Sequence, residues 1–187
     1  MMQLPLFPLK LYLLPGGIST LRIFEPRYVR LVKMAMASNE GFGLCMQSDD
    51  NLCHFGSRVV ITDFDQMPDG FLGITVRAID KFVINQHWTE DDGLIMATTS
   101  IIPNWTPTEI KYIDRDLSSG LQMLFEEYPE HAAHYPHPDF EDMAWVCQRW
   151  LEILPIGTEQ KQWFMSRSDH KAALSFLHSV IDEELKR

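Results

Sequence analysis

His131, His134 and His137 recur every third residue, with Cys147 and the Glu126-Glu127 pair nearby in the sequence. Imidazoles at that spacing can share a helical face, and together with a thiolate or carboxylate they suit zinc or another transition metal. Pro136 and Pro138 break the helix that would gather the rings, and the fixed spacing of a zinc site is missing. The expectation is a solvated His-rich connection between helices, with no metal and no other cofactor. Cys45 and Cys53-His54 invite the same comparison, but the seven residues between the two thiols match no standard zinc pattern and suit packed strand cysteines.

Other chemistry is sparse. Asp63, Asp65 and Asp69 could pair as general acid and base, yet they lie in or beside a hairpin, where acidic residues are ordinary turn formers. No Ser or Cys sits in a Gly-x-Ser-x-Gly elbow that would expose and activate it. No Gly-x-x-x-x-Gly-Lys-Ser/Thr string occurs, which excludes an ATPase of the P-loop type. Arg22, Glu25, Arg27 and Arg30 form a charged group that either presents a small electropositive surface or fastens a helix to a sheet. The second reading is preferred, because ion pairs need no function to explain them. Trp145, Trp150 and Trp163 stand at helical or near-helical spacing, which suits core or interdomain packing.

The elements that position these residues follow from punctuation and period. Pro5, Pro8 and Pro15 suit short, edge-type extended pieces, and Pro15-Gly16-Gly17 reads as a turn. Ile18 to Phe24 is extended. Pro26 then opens a helix whose buried face is Tyr28, Leu31, Val32, Ala35 and Met36, with Glu25 at its positive end. Gly41 to Gln47, Arg58 to Phe64, Phe71 to Ile84 and Leu94 to Ile102 read as strands, with a hairpin connection at Met67-Pro68-Asp69-Gly70 and a polar loop over Gln86 to Gly93. Together they predict a twisted sheet or incomplete barrel plugged by the one early helix.

Beyond Pro103 the period becomes helical. Thr106-Pro107-Thr108-Glu109 has the form of a capping box, and Ile110, Ile113, Leu117, Leu121, Leu124 and Tyr128 continue as one stripe of about five turns. A second helix is expected after Pro138-Asp139, with Phe140, Met143, Ala144, Cys147, Trp150, Leu151 and Leu154 inward and Pro155 and Gly157 ending it. Thr158 and Ser168 read as caps of two more. The last buries Ala173, Phe176, Leu177 and Val180 and trails off in the polar end from Asp182 to Arg187. The expected fold class is α+β, with a β-rich pseudo-barrel over residues 1–104 and a helical bundle over residues 105–187.

Composition narrows the setting. The 187 residues suffice for one sizeable core or two small ones. No apolar run approaches the roughly 20 residues that span a bilayer, and the start lacks the pattern of a signal peptide, so a cytoplasmic protein without membrane contact is expected. Cys45, Cys53 and Cys147 are an odd number and are expected to be reduced and packed. Net charge is −10, with −3 over residues 1–104 and −7 over residues 105–187. That acidity, with no basic stripe, disfavours nucleic acid as a partner.

The segment from Leu4 to Gly43, with Leu-Pro-Leu-Phe-Pro-Leu, Leu-Leu-Pro-Gly-Gly and Leu-Arg-Ile-Phe-Glu-Pro-Arg-Tyr, resembles the opening of the Lon N-terminal domain family. Further matches fall at Asp63-Phe64-Asp65-Gln66, Pro68-Asp69-Gly70, Lys81-Phe82 and Trp150 to Leu185, so the resemblance spans nearly the whole chain. One departure is Ala78-Ile79-Asp80-Lys81-Phe82, where the family's Gly-x-x-Arg-Phe has Ala for Gly and Lys for Arg; Lys81 supplies a single-point charge instead of a planar fork. The resemblance implies a PUA-like barrel and a non-catalytic module, since the family's ATPase and Ser–Lys protease domains lie outside this region. It implies binding of peptide or unfolded-protein segments in a groove between barrel and bundle, walled by Phe24, Arg27 and Tyr28, with a separate protease or chaperone as a further partner. The alternatives are a PUA-like module for a small molecule or RNA, and a hydrolase with an unrecognised site.

Overall fold

Strand β1 (Met2–Pro8) carries two prolines and is nevertheless interior to the sheet. Residues 2–6 pair antiparallel with β6 (Ile95–Ile102) and residues 6–8 pair parallel with β3 (Phe42–Ser48), so only Leu6 has a strand on both sides. Pro5 and Pro8 each face one neighbour, and a residue that cannot donate to a ladder is tolerated there. The expectation of edge pieces is corrected accordingly. The structure, a computed structural model, describes residues 1–185, which divide between Pro103 and Asn104 into two compact units.

In the first unit β5 (Leu72–Thr89) closes the sheet. Its first part pairs with β2 (Ile18–Ile23) and its second, from Lys81, with β6, while residues 72–83 pair on the other side with β4 (Asn51–Gln66). The circuit β5-β4-β3-β1-β6-β5 is a pseudo-barrel, and β2 hangs on its rim. Register shifts at Arg58/Val59, Ile61/Asp63 and Ile84/Gln86 add the local bend that closure requires. The expected loop over Gln86 to Gly93 is corrected: Gln86 to Thr89 continue β5 against Thr98 to Ile95, and only Glu90 to Gly93 turn. Ladder partners on both sides outweigh the polar composition there.

Two apolar clusters fill this unit. Phe82, Leu4, Leu6 and Ala97 form one, and the Phe82 ring occupies space left by two glycines: a Cβ on Gly43 or Gly56 would come within 2.8 or 2.5 Å of it. The larger cluster joins Leu31, Val32 and Ala35 of α1 (Pro26–Ser38) to Phe42, Val59, Ile74 and Val76 of the sheet. Met36, expected on that face, is 49% exposed: no residue from Met36 on is buried before the helix ends at Asn39, whose φ is 58°.

The second unit is helical but begins later than its capping box predicts. Residues 103–111 form no helix and carry one isolated bridge, Glu109 to Asp142; a 3-10 turn spans Tyr112–Asp114, and α2 runs Arg115–Glu127. The Asp142 carboxylate accepts from Thr108 N–H at 2.8 Å, and Met143 and Ile110 N–H donate to Thr108 and Glu141 carbonyls. These bonds hold Thr108 to Ile110 against the 141–143 strand of chain and outweigh the local capping signal, leaving Ile113 and Tyr128 exposed. Phe125 packs inward instead.

A short α3 (Pro129–Ala132) precedes α4 (Met143–Ile153), which starts three residues after Phe140 because Asp142 caps it, accepting from Ala144 and Trp145 N–H. Helix α5 (Thr158–Met165) has Gly157, not Thr158, at its cap position. Asp169, not Ser168, accepts the first free N–H of α6 (Lys171–Leu185), at Lys171. Ala173 and Leu177 of α6 are buried, Phe176 and Val180 partly so. Lys186 and Arg187 of the expected polar end lie outside the described residues. Trp145 packs beside Phe125 and Tyr135, Trp150 donates to Leu117 O at 2.8 Å, and Trp163 is 47% exposed.

Candidate functional site

The three histidines do not converge on a site. His131 stands edge-on to Phe125 and tilted against Tyr135, in an aromatic cluster that also holds Phe140 and Trp145. Its Nε2 is buried with no hydrogen-bond partner, and burial, with His134 and Arg149 nearby, pushes its pKa below the ordinary 6.5. His131 is thus partly packed, which corrects a wholly solvated connection. Among the described residues no group of three or more His, Cys, Asp or Glu is placed to hold a metal ion. Cys45 and Cys147 are buried, and burial raises both thiols, Cys45 to about 12. Neither is an activated nucleophile.

Lys81 is fully buried on β5, and desolvation pulls its pKa down to about 8. Its neighbour Asp80 takes a forked contact from Arg58 on β4, with N···O distances of 2.6, 3.1 and 3.2 Å and both side chains 15% exposed. This pair fastens β4 to β5. Arg30 in α1 reaches Glu90 and Asp92 of the β5–β6 turn, which ties the helix to the barrel as the structural reading of the arginines expects. Asp69 is engaged by Arg22 at 2.8 Å, and Asp63 turns back on the N–H of Phe64. Asp63 and Asp69 are thus held by groups other than each other.

Phe24, Arg27 and Tyr28 do line one space, a groove of about 710 Å³ within the first unit. Ser19 to Arg22 of β2 form one wall, and Pro8 to Leu11, the chain leaving β1, form another. Tyr28 lies stacked on Phe7, and burial raises the Tyr28 phenol while Arg27 partly offsets it. Arg27 is held by Glu25 at 2.8 Å and by the Gly93 carbonyl at 3.3 Å, and its guanidinium lies over the Tyr28 ring. Phe24 is 56% exposed and meets Phe71 edge-on, with the Arg22 guanidinium over both rings, 4.6 Å from Phe71 and 5.4 Å from Phe24. A cleft with one exposed aromatic ring, Phe24, a partly buried one, Tyr28, and a few fixed charges suits an apolar or amphipathic ligand.

The family profile of the ATP-dependent protease La (LON) substrate-binding domain matches residues 3–183. The chain belongs to this family. Its fold is similar to the crystal structure of a Lon N-terminal domain protein from Xanthomonas campestris, with a TM-score of 0.78 and 28% identity over 96% of this chain and 98% of that one. It also resembles the N-terminal domain of Mycobacterium avium complex Lon protease, with a TM-score of 0.66 and 13% identity over 94% of this chain and 96% of that one. No curated protein sequence matches the chain. The LON substrate-binding domain is named for binding, not for the protease or ATPase chemistry of the full enzyme. Among the described residues no helix is long and apolar enough to cross a membrane.

Residue-type reasoning missed Phe7, Lys10 and Phe71. Phe7 sits in a Pro-bounded apolar run that reads only as strand, and Phe71 reaches Phe24 through the β2–β5 ladder, a contact 47 positions apart that no local pattern announces.

Proposed function

We infer that this chain is a non-catalytic recognition module that binds peptide or unfolded-protein segments in the groove of its barrel unit. The observation that carries this is the open cleft of about 710 Å³ with Phe24 exposed beside the Phe7–Tyr28 stack. Exposed aromatic rings are costly to leave in water and are recurrent anchors of recognition surfaces. Membership of the LON substrate-binding domain family supports the same reading. A bound segment would then pass to a separate protease or chaperone in the cytoplasm.

Fluorescence polarisation against an array of peptides derived from unfolded proteins tests it. The folded protein binds a subset saturably, and Phe24→Ala weakens that binding. Binding equal to that of the urea-unfolded protein, or none, overturns the reading.

A further inference from the structure

Four consecutive residues of β2, Ser19 to Arg22, line the groove. Neighbouring side chains of a strand leave on opposite faces, so a cavity that touches four in a row runs alongside the strand and not above it. β5 occupies one side of β2, and among the described residues no strand pairs with the other. From Ser19 to Arg22 the groove therefore flanks a strand edge that no other described strand pairs.

Register identifies the backbone groups that face it. Gly16, at φ 85°, and Gly17 make a bulge opposite Ala78: Gly16 N–H donates to Ala78 O at 2.8 Å and Ala78 N–H to Gly17 O at 2.9 Å. From that bonded pair the ladder alternates without a shift to Ile23. Ser19, Leu21 and Ile23 thus bond to β5, while Thr20 and Arg22 turn their N–H and C=O toward the groove. At about 3.3 Å per residue the part of β2 that lines the groove, Ser19 to Arg22, is about 13 Å long.

The charge of the groove opposes that of the chain. Lys10, Arg22 and Arg27 line it against one carboxylate, Glu25, in a protein of net charge −10. Arg22 shares its charge with Asp69 and Arg27 with Glu25, whereas Lys10 makes no ion pair among the described residues. Such a local field draws acidic ligands and repels basic ones.

Building on the peptide-binding reading above, we propose that the groove takes an extended acidic segment of another protein as an added strand on β2. Lys10 and the two arginines hold its carboxylates, and Phe24 with the Phe7–Tyr28 stack holds its apolar side chains.

A labelled peptide of alternating Glu and Val or Phe, acetylated and amidated, tests this against the full chain by fluorescence polarisation. It is compared with forms N-methylated on alternate amides in either register and with a form carrying Gln for Glu. Methylation in the edge-facing register lowers affinity about tenfold and in the other register less than about twofold. The Gln form binds more weakly, and its deficit shrinks as salt rises. Thr20→Pro, which removes an N–H facing the groove and breaks no bond of the β2–β5 ladder, lowers affinity for the unmethylated peptide while the far-UV spectrum and melting midpoint show the fold retained. Saturable binding that ignores the methylation register, or that treats Gln and Glu alike, overturns the proposal and leaves peptide binding standing. Absence of saturable binding by every form overturns both.

Discussion

Tyr28 lies flat on Phe7, with ring centroids 4.0 Å apart and planes inclined by 8°. The pair joins the first turn of α1 to the end of β1, so it supports the barrel unit and lines the groove at once. Tyr28→Ala is expected to cost about 2 kcal/mol by urea denaturation, the ring being only partly buried. Tyr28→Phe keeps the stack and stays within about 0.5 kcal/mol. Equal losses from both substitutions would show that the hydroxyl and not the stack matters.

Arg22 separates binding from stability. Its ion pair with Asp69 is exposed, 46% and 41% at the two side chains, and pairs of that kind contribute at most about 1 kcal/mol. Arg22→Ala should shift the unfolding midpoint little while weakening peptide binding, since it removes a cation from over Phe24 and Phe71. Thermal melting and polarisation on the same sample check both parts.

Gly56 leaves no room for a methyl group. A Cβ there would lie 2.5 Å from the Phe82 ring and 2.5 Å from the Leu44 carbonyl, which is backbone and cannot rotate away. Gly56→Ala should destabilise by about 3 kcal/mol. At Gly43 the nearest obstacles are side chains, Leu6 and Phe82, so trimming Phe82 to Leu should partly rescue Gly43→Ala but not Gly56→Ala. A double-mutant cycle reads the difference.

Arg58→Ala leaves the Asp80 carboxylate, 15% exposed, without its partner, whereas Asp80→Ala leaves Arg58 beside Glu40, whose carboxylate is 3.7 Å away and whose carbonyl accepts at 3.2 Å. Arg58→Ala should cost about 3 kcal/mol, Asp80→Ala less, and the double substitution less than their sum. Additive losses would mean that the two groups act separately.

His131 makes stability depend on pH in a defined direction. Its folded pKa is held below 6.5, first by burial and then by His134 and Arg149, so below pH 6.5 the unfolded chain binds more protons than the folded one. Stability therefore rises with pH toward 6.5, is fully present above it, and is lost as pH falls through the folded value. His131→Phe, which keeps an aromatic ring beside Phe125, should flatten that slope. The check is the wild-type-minus-variant difference in urea midpoint from pH 5 to 7.5.

The periods of two and 3.6 in this sequence, with its Pro and Gly punctuation, determine the α+β class, the one early helix and the change to helices beyond Pro103. They do so because burial of one face is a local demand that each segment meets by itself. The opening motif likewise places Phe24, Arg27 and Tyr28 as candidate groove residues before any contact is known. Element starts were legible only where no distant group competed. Thr106 to Glu109 has every local feature of a helix start, yet the Asp142 carboxylate and the Thr108–Met143 bond hold it out of a helix. Gln86 to Thr89 is polar enough for a loop, yet β6 lies beside it and supplies the ladder. Tertiary structure alone decided that β2 keeps a free edge, that Phe7 lies under Tyr28 and that Phe71 meets Phe24. Each depends on strand pairing between distant residues, and pairing is set by the packing of the whole barrel.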